Sequence, residues 1–312
     1  MNVAPVKSDM TFLQVAEVWA LEGDRLVLYS GNYGDRADFA AVAERESFAR
    51  GEGLPGRAWD EARPVVIKSI EGSYFKRREA AKTAGLTSAV AIPIFAGKLL
   101  KAVLVVMCGD DENHIGAIEV WREQNHLMML DDGYYGAAKD FEAASQKTQF
   151  PHGRGLPGWV SATKTPILMR DLGSGYRFIR ADAAAKAGLT TGLGLPVPTP
   201  NGENYVLTLL SSRGTPIARR FEIWDARAAA VGSRHEAILI DGFCAREGRL
   251  WCDVGEEPRR AAAWSGLIGR VLGSGIPVVE SASPAINAHY DSMVALPIHR
   301  GQEVAHIVAW YH

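Results

Sequence analysis

The alternation of apolar and polar positions near the start of the chain predicts two paired strands. The segments "EVWAL" (17–21) and "RLVLYSG" (25–31) are rich in β-favouring residues, and "EGD" between them is a hairpin signal. In "DFAAVAERESFARG" (38–51), apolar residues recur at helical spacing up to a glycine, which predicts a helix. A short helix is expected in "GRAWDEA" (56–62), and a further strand in "PVVIKSI" (64–70).

The next apolar pattern predicts one more helix and a second hairpin. The segment "SYFKRREAAKTAG" is expected to form a helix with Ser73 as its N-cap and Gly85 at the C′ position. "SAVAIPIFAGKLLKAVLVVMC" (88–108) predicts two strands joined by a turn at Gly97. Hairpins at both ends of this unit favour a mainly antiparallel sheet with helices packed on it, an α/β (α+β) fold.

The pattern repeats along the chain. Trp19 and Trp121 are 102 residues apart, as are Gly31 and Gly133, and "AGLTSAVAIPI" returns as "AGLTTGLGLPV". A third, degenerate copy carries "FEIW" and "ALPIHRG". A period of about one hundred residues is the size of a whole domain. We therefore predict three tandem domains, at 11–112, 113–214 and 215–312.

A glycine pattern, "GEGLPG" (51–56) and "GRGLPG" (153–158), has the G-x-G-x-x-G spacing of a dinucleotide-binding loop. Such a loop follows a strand and opens a crossover of a dozen residues or more. Here the preceding residues predict a helix, and only seven residues separate Gly56 from Pro64. We interpret these glycines instead as sites of positive φ and of close contact between helix and sheet.

Composition excludes several classes of protein. The chain has 47% hydrophobic residues, 22% charged residues and a net charge of −2, which gives no electrostatic case for nucleic acid or an anionic membrane. Lys98 and Lys101 interrupt the most apolar stretch, so no membrane span is predicted. Three cysteines and an N-terminus without an apolar signal region favour a reducing compartment, and a cytoplasmic protein is expected.

The segments "FARGEGLPGRAW" (48–59) and "FKRREAAKTAGLTSAVAIPI" (75–94) resemble GAF domains, in particular the bacterial sensory ones. The second copy shows the same motifs, and the resemblance extends over 11–312. It implies about six antiparallel strands per domain, a ligand held between the sheet and its covering helices, and a sensory or regulatory role. GAF domains often pair, so the resemblance allows a homodimer.

Six candidate ligand-binding residues recur in the first two copies, two of them tyrosines and four within a shared F-x-R-x-x-A-A pattern. They are Tyr33, Phe75 and Arg77 in the first copy, and Tyr135, Phe178 and Arg180 in the second. The arginine could hold a carboxylate or phosphate through its two-pronged guanidinium group. The alternative is that the phenylalanines are core residues and that the arginines reach solvent or cap neighbouring carbonyls.

The third copy carries "ESASPAINAHYDSMV" (280–294) in place of this pattern, so it is expected to bind nothing. Trp19, Trp121 and Trp224 recur at strand positions and are interpreted as packing residues.

Signatures of particular cofactors do not recur between the copies, so the cofactor stays unknown. No cysteine recurs for a covalent bilin, no histidines cluster for zinc, and the residue set of cyclic-nucleotide GAF domains is missing. One GAF branch reduces free methionine sulfoxide with cysteines. The only pair here, Cys244 and Cys252, has C-x₇-C spacing in the degenerate copy, near arginines that would lower the pKa of a thiol.

The sequence therefore predicts a non-enzymatic sensory or regulatory protein. It would bind a small ligand in domains 1, 2 or both, and signal to a separate protein. The alternatives are a ligand-free scaffold and, less favoured, a thiol reductase. A sensor predicts a cavity beside Phe75 and Arg77, or beside Phe178 and Arg180. A scaffold predicts filled cores and an exposed apolar surface.

Overall fold

The computed structural model describes residues 11–109, 112–174, 177–227, 235–252, 256–281, 284, 286 and 289–312. Its strands form three sheets that follow one another along the chain, and every recorded strand pair is antiparallel. We call them unit 1 (15–109), unit 2 (116–212) and unit 3 (220–311). None of the helices in the described residues is long and apolar enough to cross a membrane.

Units 1 and 2 have the same order of elements. Unit 1 contains β1 (Val15–Glu22), β2 (Arg25–Asn32), α1 (Ala37–Ala43), β3 (Ser47–Ala49), α2 (Gly53–Glu61), β4 (Val65–Ile67), α3 (Arg78–Thr83), β5 (Leu86–Ala96) and β6 (Leu99–Gly109). Unit 2 contains β7 (Gly116–Gln124), β8 (Leu127–Tyr134), α4 (Lys139–Lys147), β9 (Phe150–Pro151), α5 (Gly155–Thr163), β10 (Ile167–Arg170), α6 (Ala181–Lys186), β11 (Leu189–Pro198) and β12 (Asn204–Ser212).

Unit 3 keeps the strands and has fewer helices in its described residues. It contains β13 (Arg220–Asp225), β14 (Glu236–Cys244), β15 (Gly248–Arg249), β16 (Arg260–Ala262), α7 (Gly266–Ser274), β17 (Val278–Ser281), β18 (Ser292–Arg300) and β19 (Glu303–Tyr311). The segment predicted to replace the F-x-R pattern, 280–294, lies partly outside the described residues.

The three sheets share one strand order. It is β3-β2-β1-β6-β5-β4 in unit 1, β9-β8-β7-β12-β11-β10 in unit 2 and β15-β14-β13-β19-β18-β17 in unit 3, with β16 also paired to β14. The predicted antiparallel sheets of about six strands are therefore present. Flanking helices are fewer and shorter than an α/β fold implies, since none of those described exceeds nine residues. One sheet lies in each predicted domain, but the limits 11–112, 113–214 and 215–312 stay predictions.

Two predicted helices are shorter in the structure. The helix expected over 38–51 ends at Ala43, and Ser47–Ala49 forms β3, which pairs with β2 and buries Phe48. The helix expected from Ser73 begins only at Arg78, because the Ser73 hydroxyl closes a turn by donating to the Ile70 carbonyl. Phe75 and Arg77 therefore lie just before a helix and not on it.

The glycine loops have the positive φ and the close contact that the sequence predicts, although strand β3 and not the expected helix precedes Gly51. Gly53 has a φ of +58°, and a Cβ added to Gly56 would lie 2.1 Å from the Ala49 carbonyl oxygen. The Gly51 N–H donates to the Gly56 carbonyl at 2.8 Å, so this backbone N–H is used within the loop. Units 2 and 3 repeat this close approach at Gly158 and Gly269, with 2.2 and 2.1 Å. The loop serves contact between helix and strand, as expected.

Both faces of the central strands are buried, which explains their nearly continuous apolar runs. On β1, Val15 and Trp19 face the helices of unit 1, whereas Ala16 and Val18 face a core shared by all three units. Unit 2 contributes Leu207 to this shared core in the same way. Each unit thus has its own helix-covered core, and the three sheets meet back to back.

The edge of each unit's sheet also packs against a strand of the next unit, so the three units form a closed ring. The edge of unit 1 meets β8, where Lys68 forms an ion pair with Asp132 at 2.9 Å. On the edge of unit 2, the Arg170 guanidinium lies 4.5 Å from the centre of the Phe243 ring on β14. The edge strand β17 of unit 3 contacts β2, where the Val279 N–H donates to the Ser30 hydroxyl. The units therefore form one body.

Candidate functional site

A buried carboxylate lies on the first strand of each unit, two residues before the recurring tryptophan. Glu17 and Glu119 are completely buried, and Glu222 is 4% exposed. Alternation along the strand places each carboxylate on the helix-covered face beside its tryptophan. The indole N–H donates to the carboxylate in all three units, at 3.0, 3.2 and 3.0 Å. An E-x-W motif therefore builds the same polar centre three times.

In unit 1, Arg77 neutralises this carboxylate. Its two terminal nitrogens donate to the two oxygens of Glu17 at 2.5 and 2.7 Å, which is a bidentate ion pair. Three aromatic rings surround the guanidinium, with Phe39 at 4.7 Å and both Trp19 and Phe75 at 5.2 Å from its central carbon. The cation is held by protein groups on its two terminal nitrogens and on its faces.

Unit 2 repeats the arrangement with more hydrogen bonds. Arg180 pairs with both oxygens of Glu119, and Ser145 donates to the carboxylate at 2.7 Å. Tyr135 and Thr208 donate at 3.1 and 2.9 Å. Burial raises the pKa of Glu119, but Arg180 and the hydroxyl donors outweigh burial, so the pKa is lowered overall. Glu119 is held as a carboxylate.

Unit 3 supplies its cation from a different element. Arg220, on β13 itself, donates through Nε to Glu222 at 2.7 Å and through a terminal nitrogen to Glu247 at 2.9 Å. The Tyr311 hydroxyl donates to Glu222 at 3.0 Å. A buried carboxylate requires a cation, and this unit meets the requirement without an F-x-R pattern.

The six predicted site residues converge on these centres. Arg77 and Arg180 bind the carboxylates, and Phe75 and Phe178 pack on the guanidinium groups. Tyr33 and Tyr135 lie beside the glutamates, and burial raises the pKa of both phenols. That they bind a ligand stays a prediction.

Sequence reasoning missed the carboxylates themselves. Glu17, Glu119 and Glu222 each precede a recurring tryptophan by two residues. The signal was a charged residue repeated inside a buried strand, where an unpaired charge is very costly. It could have been found by aligning the three copies at their tryptophans.

The two cysteines of the thiol hypothesis have different environments. Cys244 is fully buried, with its sulfur 3.0 Å from the Tyr290 hydroxyl, whereas Cys252 is half-buried. Burial raises the pKa of Cys244, but Tyr290 and two backbone N–H groups lower it overall. A thiol enzyme predicts a close, partly exposed pair, and Cys244 does not meet that expectation.

Comparison with known proteins finds that residues 6–123 match a family model described as GAF domain. The match covers somewhat more than a third of the chain, and it includes only residues 116–123 of unit 2 and none of unit 3. None of the curated proteins matches the chain.

Solved structures that are similar include GAF domains. The A. aeolicus nlh2 GAF domain in an inactive state is 22% identical, with 31% of this chain and 58% of that chain covered and a TM-score of 0.26. A Staphylococcus aureus NreA protein mutated in its nitrate binding site is 20% identical, with 34% and 81% covered and a TM-score of 0.27. Free methionine-R-sulfoxide reductase from Neisseria meningitidis is 16% identical, with 30% and 51% covered and a TM-score of 0.24.

Proposed function

We propose that the chain is a non-enzymatic regulatory protein made of three GAF units, which acts through protein contacts while its unit interiors stay closed. Extending the GAF assignment to units 2 and 3 rests on their shared strand order and on the E-x-W centre in each. A cytoplasmic location and a separate signalling partner remain part of the proposal.

One observation carries it: the guanidinium groups that could hold an anionic ligand already hold the protein's own carboxylates. The terminal nitrogens of Arg77 bind Glu17, and those of Arg180 bind Glu119. Aromatic rings occupy the faces of both groups. A ligand carboxylate would have to displace a buried glutamate, which would then lack a cation.

Two large apolar side chains are exposed beside polar groups in one depression, which supports action through contacts. Leu99 and Trp264 are 54% and 68% exposed, and both line an open depression between units 1 and 3. A scaffold predicts such a surface.

Native mass spectrometry of the protein as purified from cells, compared with its denatured mass, tests the closed interior. The proposal predicts the bare mass of the polypeptide. A retained small-molecule mass would contradict it if that mass is lost in Arg77→Ala or Arg180→Ala. The matched control is Arg50→Ala, which removes a surface arginine paired with Asp60 in the same unit as Arg77.

A second candidate, a ligand sensor, has one observation in its favour. The Nε–H groups of Arg77 and Arg180 are buried without a hydrogen-bond partner among the described residues. A ligand oxygen could accept from them, since buried donors without acceptors are uncommon. The native mass measurement separates this candidate from the closed scaffold.

A further inference from the structure

A cavity of about 510 Å³ lies between units 2 and 3, outside all three carboxylate centres. Its size is within the range of sites for small organic molecules. One wall comes from the end of α5 and the β11–β12 turn, and the other from the β18–β19 turn. Apolar groups form much of the surface, from Ala162, Pro196, Val197, Pro198, Ile298 and Ala305.

Two buried histidines line this cavity and have unused hydrogen-bonding capacity. His306 is 2% exposed, and neither of its ring nitrogens has a hydrogen-bond partner in the described part of the chain. His299 is 5% exposed, and its Nδ1 is likewise unpartnered there. Native proteins leave few buried polar atoms without partners, so such atoms beside a cavity point to a ligand, which a turn of the ring would bring within reach.

The fold does not require histidine at these places. By strand register, His306 of unit 3 corresponds to Ala102 in unit 1 and Tyr205 in unit 2, because each lies next to the partner of the recurring proline. His299, two residues after that proline in the sequence, corresponds to Phe95 and Pro198. Unit 3 alone places imidazoles here, and both line the cavity.

Cations surround the same cavity. Lys164 and Arg300 line it, and neither forms a direct ion pair with any described residue, although the Glu123 carboxylate is near enough to attract Lys164. Burial lowers the pKa of Lys164 and outweighs the Glu123 carboxylate, which raises it. Lys164 also has a left-handed backbone at a φ of +55°. The third cation, Arg227, pairs with Asp225 at 2.6 Å.

The one acidic side chain among the described lining residues is already neutralised, because Glu203 pairs with Arg122. The cavity wall therefore has two cations without a direct ion-pair partner, of which Lys164 is partly offset by Glu123. It also has two imidazoles that can donate a proton in a hydrogen bond, and apolar surface between them. An anion with an apolar body matches all three features.

We propose that the cavity between units 2 and 3 binds a small organic carboxylate, held by Lys164 and Arg300 and by a hydrogen bond from His306. This site is separate from the unit interiors, so it does not depend on whether those interiors are closed. A carboxylate bound in this cavity would contact units 2 and 3 at the same time.

Titration of the full chain, with its histidine rings labelled for NMR, tests the proposal. The probes are acetate, benzoate and succinate, with inorganic phosphate and neutral benzamide as comparators, each up to about 10 mM, a range that covers weak affinity. We expect at least one carboxylate to shift the His306 ring signals saturably and more tightly than phosphate or benzamide. We also expect Lys164→Met and Arg300→Met to weaken that binding about tenfold or more.

Lys186→Met is the matched control, because it removes one lysine charge from unit 2 on α6, away from the cavity lining. It should leave the affinity unchanged. The proposal is overturned if no carboxylate gives a saturable shift, if phosphate or benzamide binds as tightly as the carboxylates, or if Lys186→Met weakens binding as much as Lys164→Met. A small-molecule mass that is retained in native mass spectrometry and lost in Arg77→Ala would concern the unit interiors and not this cavity.

Discussion

A carboxylate in the middle of a protein is tolerated only when a cation and hydrogen-bond donors satisfy it. Glu17 and Glu119 meet this condition through an arginine that comes from about sixty residues later in the chain. The pair joins the first strand to the segment before α3 or α6. At the scale of single residues, the pair fixes how the helical cover sits on the sheet.

Removing the cation should be much more damaging than removing a surface arginine. Arg77→Ala leaves Glu17 buried and unpaired, so the free energy of unfolding should fall by about 3–5 kcal/mol. Urea denaturation measures this, with Arg50→Ala as a control that changes little. The double variant Glu17→Gln with Arg77→Met should lose less than the two single changes added together. Additive losses would contradict the pairing.

The lowered pKa of Glu119 makes stability depend on pH in one direction. A carboxyl group whose pKa is lower in the folded state stabilises the fold above its unfolded pKa, about 4.3 for glutamate. That contribution is lost as pH falls through the folded pKa. Melting temperatures measured from pH 7 down to about 3 should fall, and Glu119→Gln should reduce the slope. An unchanged slope in the variant would contradict the assignment.

At the scale of elements, the strands were predictable and the helix limits were not. The alternating pattern of 17–31 and the turn at Gly97 give hairpins that the structure contains. Helical spacing could not reveal that Phe48 would leave the helix and enter β3, because tertiary burial decided it. The convergence of Tyr33, Phe75 and Arg77 was predictable from their repetition.

The partner of that arginine was not recognised, because a glutamate in an apolar strand has no local signal of what pairs with it. Glu17 and Arg77 are sixty residues apart, and only the folded sheet brings them together. The cavity between units 2 and 3 was equally inaccessible to sequence reasoning. His306 and Lys164 belong to different units, and their proximity depends on how the units pack.

The glycine loop between β3 and α2 gives a further prediction. Alanine normally favours a helix over glycine by about 1 kcal/mol. Gly56→Ala should instead destabilise the protein by about 1–3 kcal/mol, because its methyl group would meet the Ala49 carbonyl at 2.1 Å. Gly158→Ala should behave the same way in unit 2. Thermal unfolding measures both, and a stabilised Gly56→Ala variant would refute close contact between α2 and β3.

At the scale of the whole molecule, the shared core decides how the chain behaves. Strands of all three units bury one face in it, through residues such as Leu104, Leu207 and Val308. Edge contacts close the ring between the units. A chain built this way should unfold in one cooperative transition and not as three independent domains.

Hydrogen exchange of the full chain, with peptides from β6, β12 and β19 followed by mass spectrometry, tests this most directly. Leu207→Ala removes a fully buried side chain of unit 2 and should cost about 2–5 kcal/mol. The shared core predicts that peptides of all three strands lose protection together and by similar amounts. Loss confined to β12, with β6 and β19 protected as in the unaltered protein, would show that the units are independent and contradict the account.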